Sequence, residues 1–110
     1  MSVRKTDLLQ GTLDLLILQT LGKGSNHGYA IAQRIHDLSD EVLRIEEGSL
    51  YPALYRLEQH GLIRSEWRIT ENNRKAKFYE LTGAGRKQLD AQRRQWELFS
   101  GAVATVLRDA

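Results

Sequence analysis

The chain contains no cysteine, which excludes a disulfide framework, a cysteine-ligated zinc finger and thiol chemistry. It has no apolar run of the roughly 18 residues that a membrane-spanning helix requires. Its first ten residues, MSVRKTDLLQ, lack the apolar centre and small-residue cleavage site of a secretory signal. A soluble, cytoplasmic protein is therefore expected. No nucleophile–base constellation is present, and Asp and Glu scattered among Lys and Arg read as surface, so no enzyme is expected. Metal ligands are scarce too. His36 and Asp40 stand four residues apart, but His27 and His60 have no ligand partner at helical spacing. The glycine-rich GKGSNHG (22–28) lacks the Walker spacing, and the GAG at 83–85 lacks the third glycine of a dinucleotide fingerprint. Neither metal nor cofactor is expected.

What is present is a chain of 110 residues with formal charge +2 and pI near 9.1, a length suited to one modest core. The charge is unevenly placed. Asp37, Asp40, Glu41, Glu46 and Glu47 surround Arg44 alone, whereas Arg64, Arg68, Arg74, Lys75 and Lys77 outnumber Glu66 and Glu71. Localised basic charge is the usual footprint of a phosphate-binding surface, although a charge run is also often a solvated face.

The most organised stretch is EEGSLYPALYRLEQHGLI (46–63). Ser49 reads as an N-cap, Pro52 as a first-turn residue and Gly61 as the residue past the helix end. Leu50, Leu54 and Leu57 repeat as a buried stripe. Ser49, Pro52, Tyr55, Arg56 and Gln59 fall on or near the opposite side, and Tyr51 at the stripe's margin. This face carries a hydroxyl, a phenol, a guanidinium and an amide without a carboxylate, a set that can meet phosphates and base edges. Taken alone, the stretch reads more readily as an ordinary amphipathic surface helix.

Around it the pattern predicts a first helix capped by Thr6 or Asp7 and ending near Leu21. Leu9, Leu13, Leu16, Ile17 and Thr20 form one face, and Leu8, Leu15 and Leu18 another. A helix apolar all round needs two covers, here the core and either a second subunit or the C-terminal helix. A second helix is expected over 28–39. After Gly61 the period changes to two. LIRSEWRI (62–69) and KFYELT (77–82) read as strands joined by a basic turn with Asn72 and Asn73. Three helices followed by a hairpin compose a winged helix-turn-helix, with Arg74 and Lys75 at the tip of the wing.

Thr82 is placed to cap a last helix of some 25 residues, too long for a core of this size to cover. Leu89, Gln92, Trp96, Phe99, Val103 and Val106 recur at intervals of 3, 4, 3, 4 and 3, an a/d seam of the kind helices use against partner helices. Packing back on the first helix would use the same residues, and both uses are expected. The fold class is thus mainly α with a β-hairpin. Residues 1–82 form a winged helix-turn-helix and residues 83–110 a dimerisation helix.

The segments LDLLILQTL (13–21), HGYAIAQRI (27–35), EEGSLYPALYRLEQHGLI (46–63) and FYELTGAGRKQL (78–89) resemble the PadR family of bacterial transcriptional regulators. The similarity is to its short subgroup with one C-terminal helix, and GSLYPAL (48–54) is its most specific part. The resemblance implies repression by a homodimer on a roughly palindromic operator in double-stranded DNA. It makes the third helix the recognition helix, with Ser49, Tyr51, Pro52, Tyr55 and Arg56 at or near the DNA. Arg56 and Gln59 are then candidates for phosphate or base-edge contact, and Tyr55 for phosphate. Arg74, Lys75 and Lys77 act from the wing, while Arg4 and Lys5 add a loose N-terminal contact. For Tyr51 the competing role is packing.

The implied interface comprises Leu8, Leu15, Leu18, Leu89, Trp96, Phe99, Val103 and Val106. The resemblance also implies a small aromatic effector stacked on Trp96 and Phe99 between the paired C-terminal helices. A large aromatic at such a seam is more often interface core. The competing reading of the whole chain is a winged-helix protein-interaction module without specific DNA binding.

Overall fold

The computed structural model describes residues 10–109. The order is α1 (Gln10–Leu21), β1 (Asn26–His27), α2 (Gly28–Leu38), α3 (Glu47–Gln59), β2 (Ile63–Ile69), β3 (Lys75–Leu81) and α4 (Gly83–Asp109). The three strands form one antiparallel sheet in the order β1-β3-β2. This is the winged helix-turn-helix with a long C-terminal helix that the sequence predicts.

The core lies where α1, α2 and α3 meet the root of the hairpin. Leu50, Leu54 and Leu57 of α3 are at most 2 % exposed, and Ile17, Leu18, Ile31 and Ile63 close around them. Each such side chain contributes about 2 kcal/mol by leaving water. Tyr79 at the wing's root and Leu89 on α4 complete the cluster.

Helix ends explain much of the local geometry. α3 stops in a Schellman turn: Gly61 N–H donates to the Glu58 carbonyl and Leu62 N–H to the Leu57 carbonyl, both at 3.0 Å. Gly61 adopts φ of 73° there, a conformation glycine reaches without a Cβ penalty. The start of α3 differs from expectation. Glu46 is the N-cap, because its carbonyl accepts the N–H groups of Ser49 and Leu50 at 3.0 and 2.9 Å. Ser49 is therefore inside the first turn, and Pro52 lies within the helix rather than in that turn. The missing Pro52 N–H withdraws the usual donor from the Gly48 carbonyl.

Two other boundaries move. The glycine-rich segment 22–28, between two expected helices, contains β1, whose Asn26 and His27 pair with Tyr79 and Phe78. His27 also caps α2, its Nδ1 accepting the Ala30 N–H at 3.3 Å. At the wing, Ile69 pairs with Lys75, so β3 begins two residues earlier than expected and the turn shortens to 70–74. Asn73 takes the left-handed conformation in it, with φ of 58°. Thr82 caps α4 as predicted: its Oγ1 accepts the Gly85 N–H at 3.0 Å and donates to the Gly61 carbonyl at 2.6 Å.

Of the expected interface residues, Leu18 and Leu89 are core instead, at 0 and 4 % exposed within one chain. The reason is that α4 packs back on α1 at this level, bringing Leu89 against the chain at Gly22. Leu8 lies outside the described residues, as do Arg4, Lys5, Thr6, Asp7 and Leu9.

Candidate nucleic-acid interface

Burial of Leu50, Ala53, Leu54 and Leu57 turns the other side of α3 outward. Tyr51, Pro52, Tyr55 and Gln59 are exposed and Ser49 is half-buried. Tyr55 is 67 % accessible and Tyr51 44 %. Tyr51 does two things at once. Its ring lies so close over Gly28 that a Cβ there would fall 2.8 Å from a ring carbon and 2.9 Å from Oη. Packing on α2 thus holds the phenol at the rim of the exposed face, and neither reading of Tyr51 excludes the other.

Arg56 departs from the exposed set. Its Nη2 donates to Asp14 Oδ1 of α1, and the two side chains are only 28 and 16 % exposed. Burial raises the Asp14 pKa above its ordinary value, opposed by the charge and hydrogen bond of Arg56 and by His60. The guanidinium is therefore directed toward α1. Spacing along α3 could not reveal this, because Asp14 is 42 residues away.

The wing stands beside the other edge of α3. Ser65 Oγ donates to Glu58 Oε2 at 2.6 Å, and Lys77 Nζ lies 3.8 Å from Glu58 Oε1. Burial, then Glu58 and then Tyr51 raise the Tyr79 pKa, so this phenol remains protonated at neutral pH. The basic residues divide in two. Arg64 bonds Glu80 at 2.6 Å and Arg68 bonds Glu66 at 2.7 Å, with Arg68 also stacked 5.0 Å above Phe78. Arg74 sits exposed in the turn, and Lys75 and Lys77 lie 5.9 Å over the rings of Trp67 and Tyr79. Tyr51 and Tyr55 thus lie on the helix that Ser65 and Lys77 of the wing reach at Glu58. Sequence reading missed Trp67, which is 61 % exposed. Its signal was a tryptophan continuing the inward alternation of β2 beyond the core.

Along α4, Trp96, Phe99, Val103 and Val106 are 40–63 % exposed and share one side of the helix. The Trp96 and Phe99 rings are 6.2 Å apart and tilted by 41°. With Thr12 and Leu15 of α1 they line an open groove of about 350 Å³. Gln92 also borders it, its Oε1 buried without a hydrogen-bond partner among the described residues. No group of three or more potential metal ligands occurs among the described residues. None of their helices is long and apolar enough to cross a membrane.

Comparison with known proteins agrees with this geometry. The family model described as "Transcriptional regulator PadR-like family" matches residues 17–91. Transcriptional regulator Rv3488 of Mycobacterium tuberculosis is 39 % identical over 89 residues, covering 81 % of this chain and 79 % of that protein. A transcriptional regulator from Clostridium thermocellum superposes with a TM-score of 0.80 at 32 % identity, over 90 % of this chain and 96 % of its own. A PadR family transcription regulator from Clostridium difficile does so with a TM-score of 0.75 at 29 % identity, over 86 % and 97 %.

Proposed function

The chain belongs to the PadR-like family of transcriptional regulators, which are not enzymes, and from that premise we propose that it is a homodimeric repressor of a pseudo-palindromic operator. The observation that carries the reading is the exposed face of α3 beside a basic wing. An exposed helix face of phenols and an amide (Tyr51, Tyr55, Gln59) adjoins a strand pair bearing Lys75 and Lys77, with Arg74 at its turn. α3 enters the major groove, where these groups meet base edges and phosphates. Pro52 and Ser49 bring the helix backbone close to the duplex. The wing's cations take phosphate, and Arg4 and Lys5 extend the contact. Arg56 orients α3 through Asp14 more than it reads bases.

Dimerisation proceeds through residues 83–110, where Trp96, Phe99, Val103 and Val106 would otherwise leave a long apolar stripe in water. Leu15 extends that stripe onto α1. A C₂ pair along it points two copies of α3 the same way, which suits a two-fold operator. A small planar aromatic effector fits the Trp96–Phe99 groove by offset stacking. It would relieve repression by changing how the two α4 helices cross. The cytoplasm is the compartment such a regulator requires.

The test is fluorescence anisotropy with DNA from upstream of the protein's own gene against scrambled DNA, across a salt series. Tight, salt-sensitive binding to the upstream duplex alone is expected. Replacing Arg74 and Lys75 by Ala should weaken binding to every sequence and flatten the salt slope by about two phosphate contacts. Equal, weak binding to both duplexes would favour a winged-helix protein-interaction module instead.

A further inference from the structure

Residues 63, 65, 67 and 69 of β2 share one face, and across the ladder they oppose Leu81, Tyr79, Lys77 and Lys75. The root of this face is core, with Ile63 and Tyr79 buried. Its middle is fastened to α3 through the Ser65–Glu58 hydrogen bond. The face therefore meets α3 at Glu58. Beyond the core it carries two large apolar side chains, Trp67 and Ile69, which are 61 and 65 % exposed. Cations frame them. The Lys75 ammonium lies 5.9 Å over the Trp67 ring, Lys77 is the cross-strand neighbour of Trp67, and Arg74 is in the adjoining turn. The acids nearby are Glu71 in the turn and Glu58, already engaged by Ser65 and Lys77.

An apolar strip on an outer strand invites aggregation unless it has an occupant. Its cationic frame favours a polyanion with an apolar interior surface over a neutral protein partner. The minor groove of a DNA duplex is such a surface: sugars and base edges form its walls, phosphates its rims. We propose that Trp67 and Ile69 are the apolar part of the wing's DNA contact, laid against minor-groove sugars and base edges while Lys75, Lys77 and Arg74 take the flanking phosphates. This rests on the DNA-binding reading above and adds a contact which that reading lacks. Because Trp67 contacts no phosphate, it tunes affinity and the choice of flanking sequence without altering the salt slope.

The experiment uses the full chain and a duplex carrying the DNA upstream of its gene. The chain has two tryptophans, and the part of the parent's emission that Trp67→Phe removes is that of Trp67. Adding duplex should quench its emission and shield it from iodide. Separately, Trp67→Ala should lower affinity roughly tenfold at every salt concentration, with an unchanged slope and a reduced preference among A·T-rich and G·C-rich flanks. The parent chain binding duplex while Trp67 stays open to iodide, and Trp67→Ala binding as tightly as the parent, would overturn the inference. The DNA-binding reading would then stand, and the strip would be a surface for another protein. Failure of the parent chain to bind any duplex would overturn both.

Discussion

Gly85 offers the sharpest quantitative test of how the parts are joined. It lies in the first turn of α4, where helix propensity alone favours alanine by at most about 1 kcal/mol. The structure predicts the opposite sign. A Cβ at Gly85 would lie 1.9 Å from the Leu62 carbonyl oxygen and 2.9 Å from its carbon. Side-chain carbons essentially never approach within 3.0 Å, so backbone must retreat by more than an ångström. That carbonyl already accepts the Thr82 N–H at 3.1 Å, and the Gly85 N–H is held by Thr82 Oγ1 at 3.0 Å. Retreat weakens both bonds, each contributing about 1 kcal/mol. Overpacking adds about 1–3 kcal/mol. Gly85→Ala should therefore destabilise by about 2–4 kcal/mol net, lowering Tm by roughly 10 °C or more for a domain of this size. Gly83→Ala is the control, since nothing lies within 4 Å of a Cβ there. Its Tm should equal that of the parent chain or slightly exceed it. Thermal unfolding at one fixed protein concentration measures both. A Gly85→Ala variant as stable as the parent would refute the claimed contact between α4 and the wing's root.

Other perturbations separate the remaining roles. Val103→Asp places a charge in the exposed α4 stripe and should give a monomer by sedimentation, whereas a variant that stays dimeric would remove that stripe from the interface. Gly28→Ala pushes on the half-exposed Tyr51 ring, not on backbone, so Tm should change little while DNA affinity falls roughly threefold to tenfold. Unchanged affinity would free Tyr51 from the DNA contact. Asp14 has a raised pKa, so its contribution to stability is present below its ordinary value of 3.8 and lost as pH rises through the folded-state pKa. Asp14→Asn cannot titrate, and its stability relative to the parent should improve as pH rises from about 3 to about 6 in chemical denaturation. A relative loss over that range would mean that Arg56 outweighs burial at Asp14.

Most of the fold was legible because its signals are local and periodic. The Leu50–Leu54–Leu57 stripe, Gly61 past the end of α3 and Thr82 before α4 each act within a few residues of themselves. What was misread depends on partners distant in sequence. Ser49 looked like a cap by type, yet the carbonyl of Glu46 begins the helix. Asn26 and His27 make a strand only because β3 offers its free edge some 50 residues later. The burial of Leu18 and Leu89 within one chain was hidden because periodicity cannot tell which apolar face a neighbouring helix of the same chain covers. Arg56 has the chemistry of a phosphate ligand, and its ion pair with Asp14, 42 residues away, could not be read from spacing along α3. At the candidate site, the tyrosines and the wing's lysines were legible by type, whereas the wing's contact with Glu58 and the exposure of Trp67 required the pairing register of the hairpin.

Thr82 binds the end of α3 at Gly61, meets the wing's root at Leu62 and caps α4 at Gly85. These three elements therefore turn together about one point, and the part of α4 beyond Leu89 works as a lever arm. Twenty residues of helix extend beyond Leu89, as far as Asp109, about 30 Å of rod. A tilt of roughly 10° at the pivot moves the far end by about 5 Å. If two copies are joined at their outer stretches, the same geometry runs in reverse: a few ångströms of slip between the rods reorients both DNA-reading heads. Half-sites one helical turn apart are separated by about 34 Å, so such a slip changes whether both heads can seat together. A control signal acting on the dimer would then need to displace only the rods, leaving the reading heads intact.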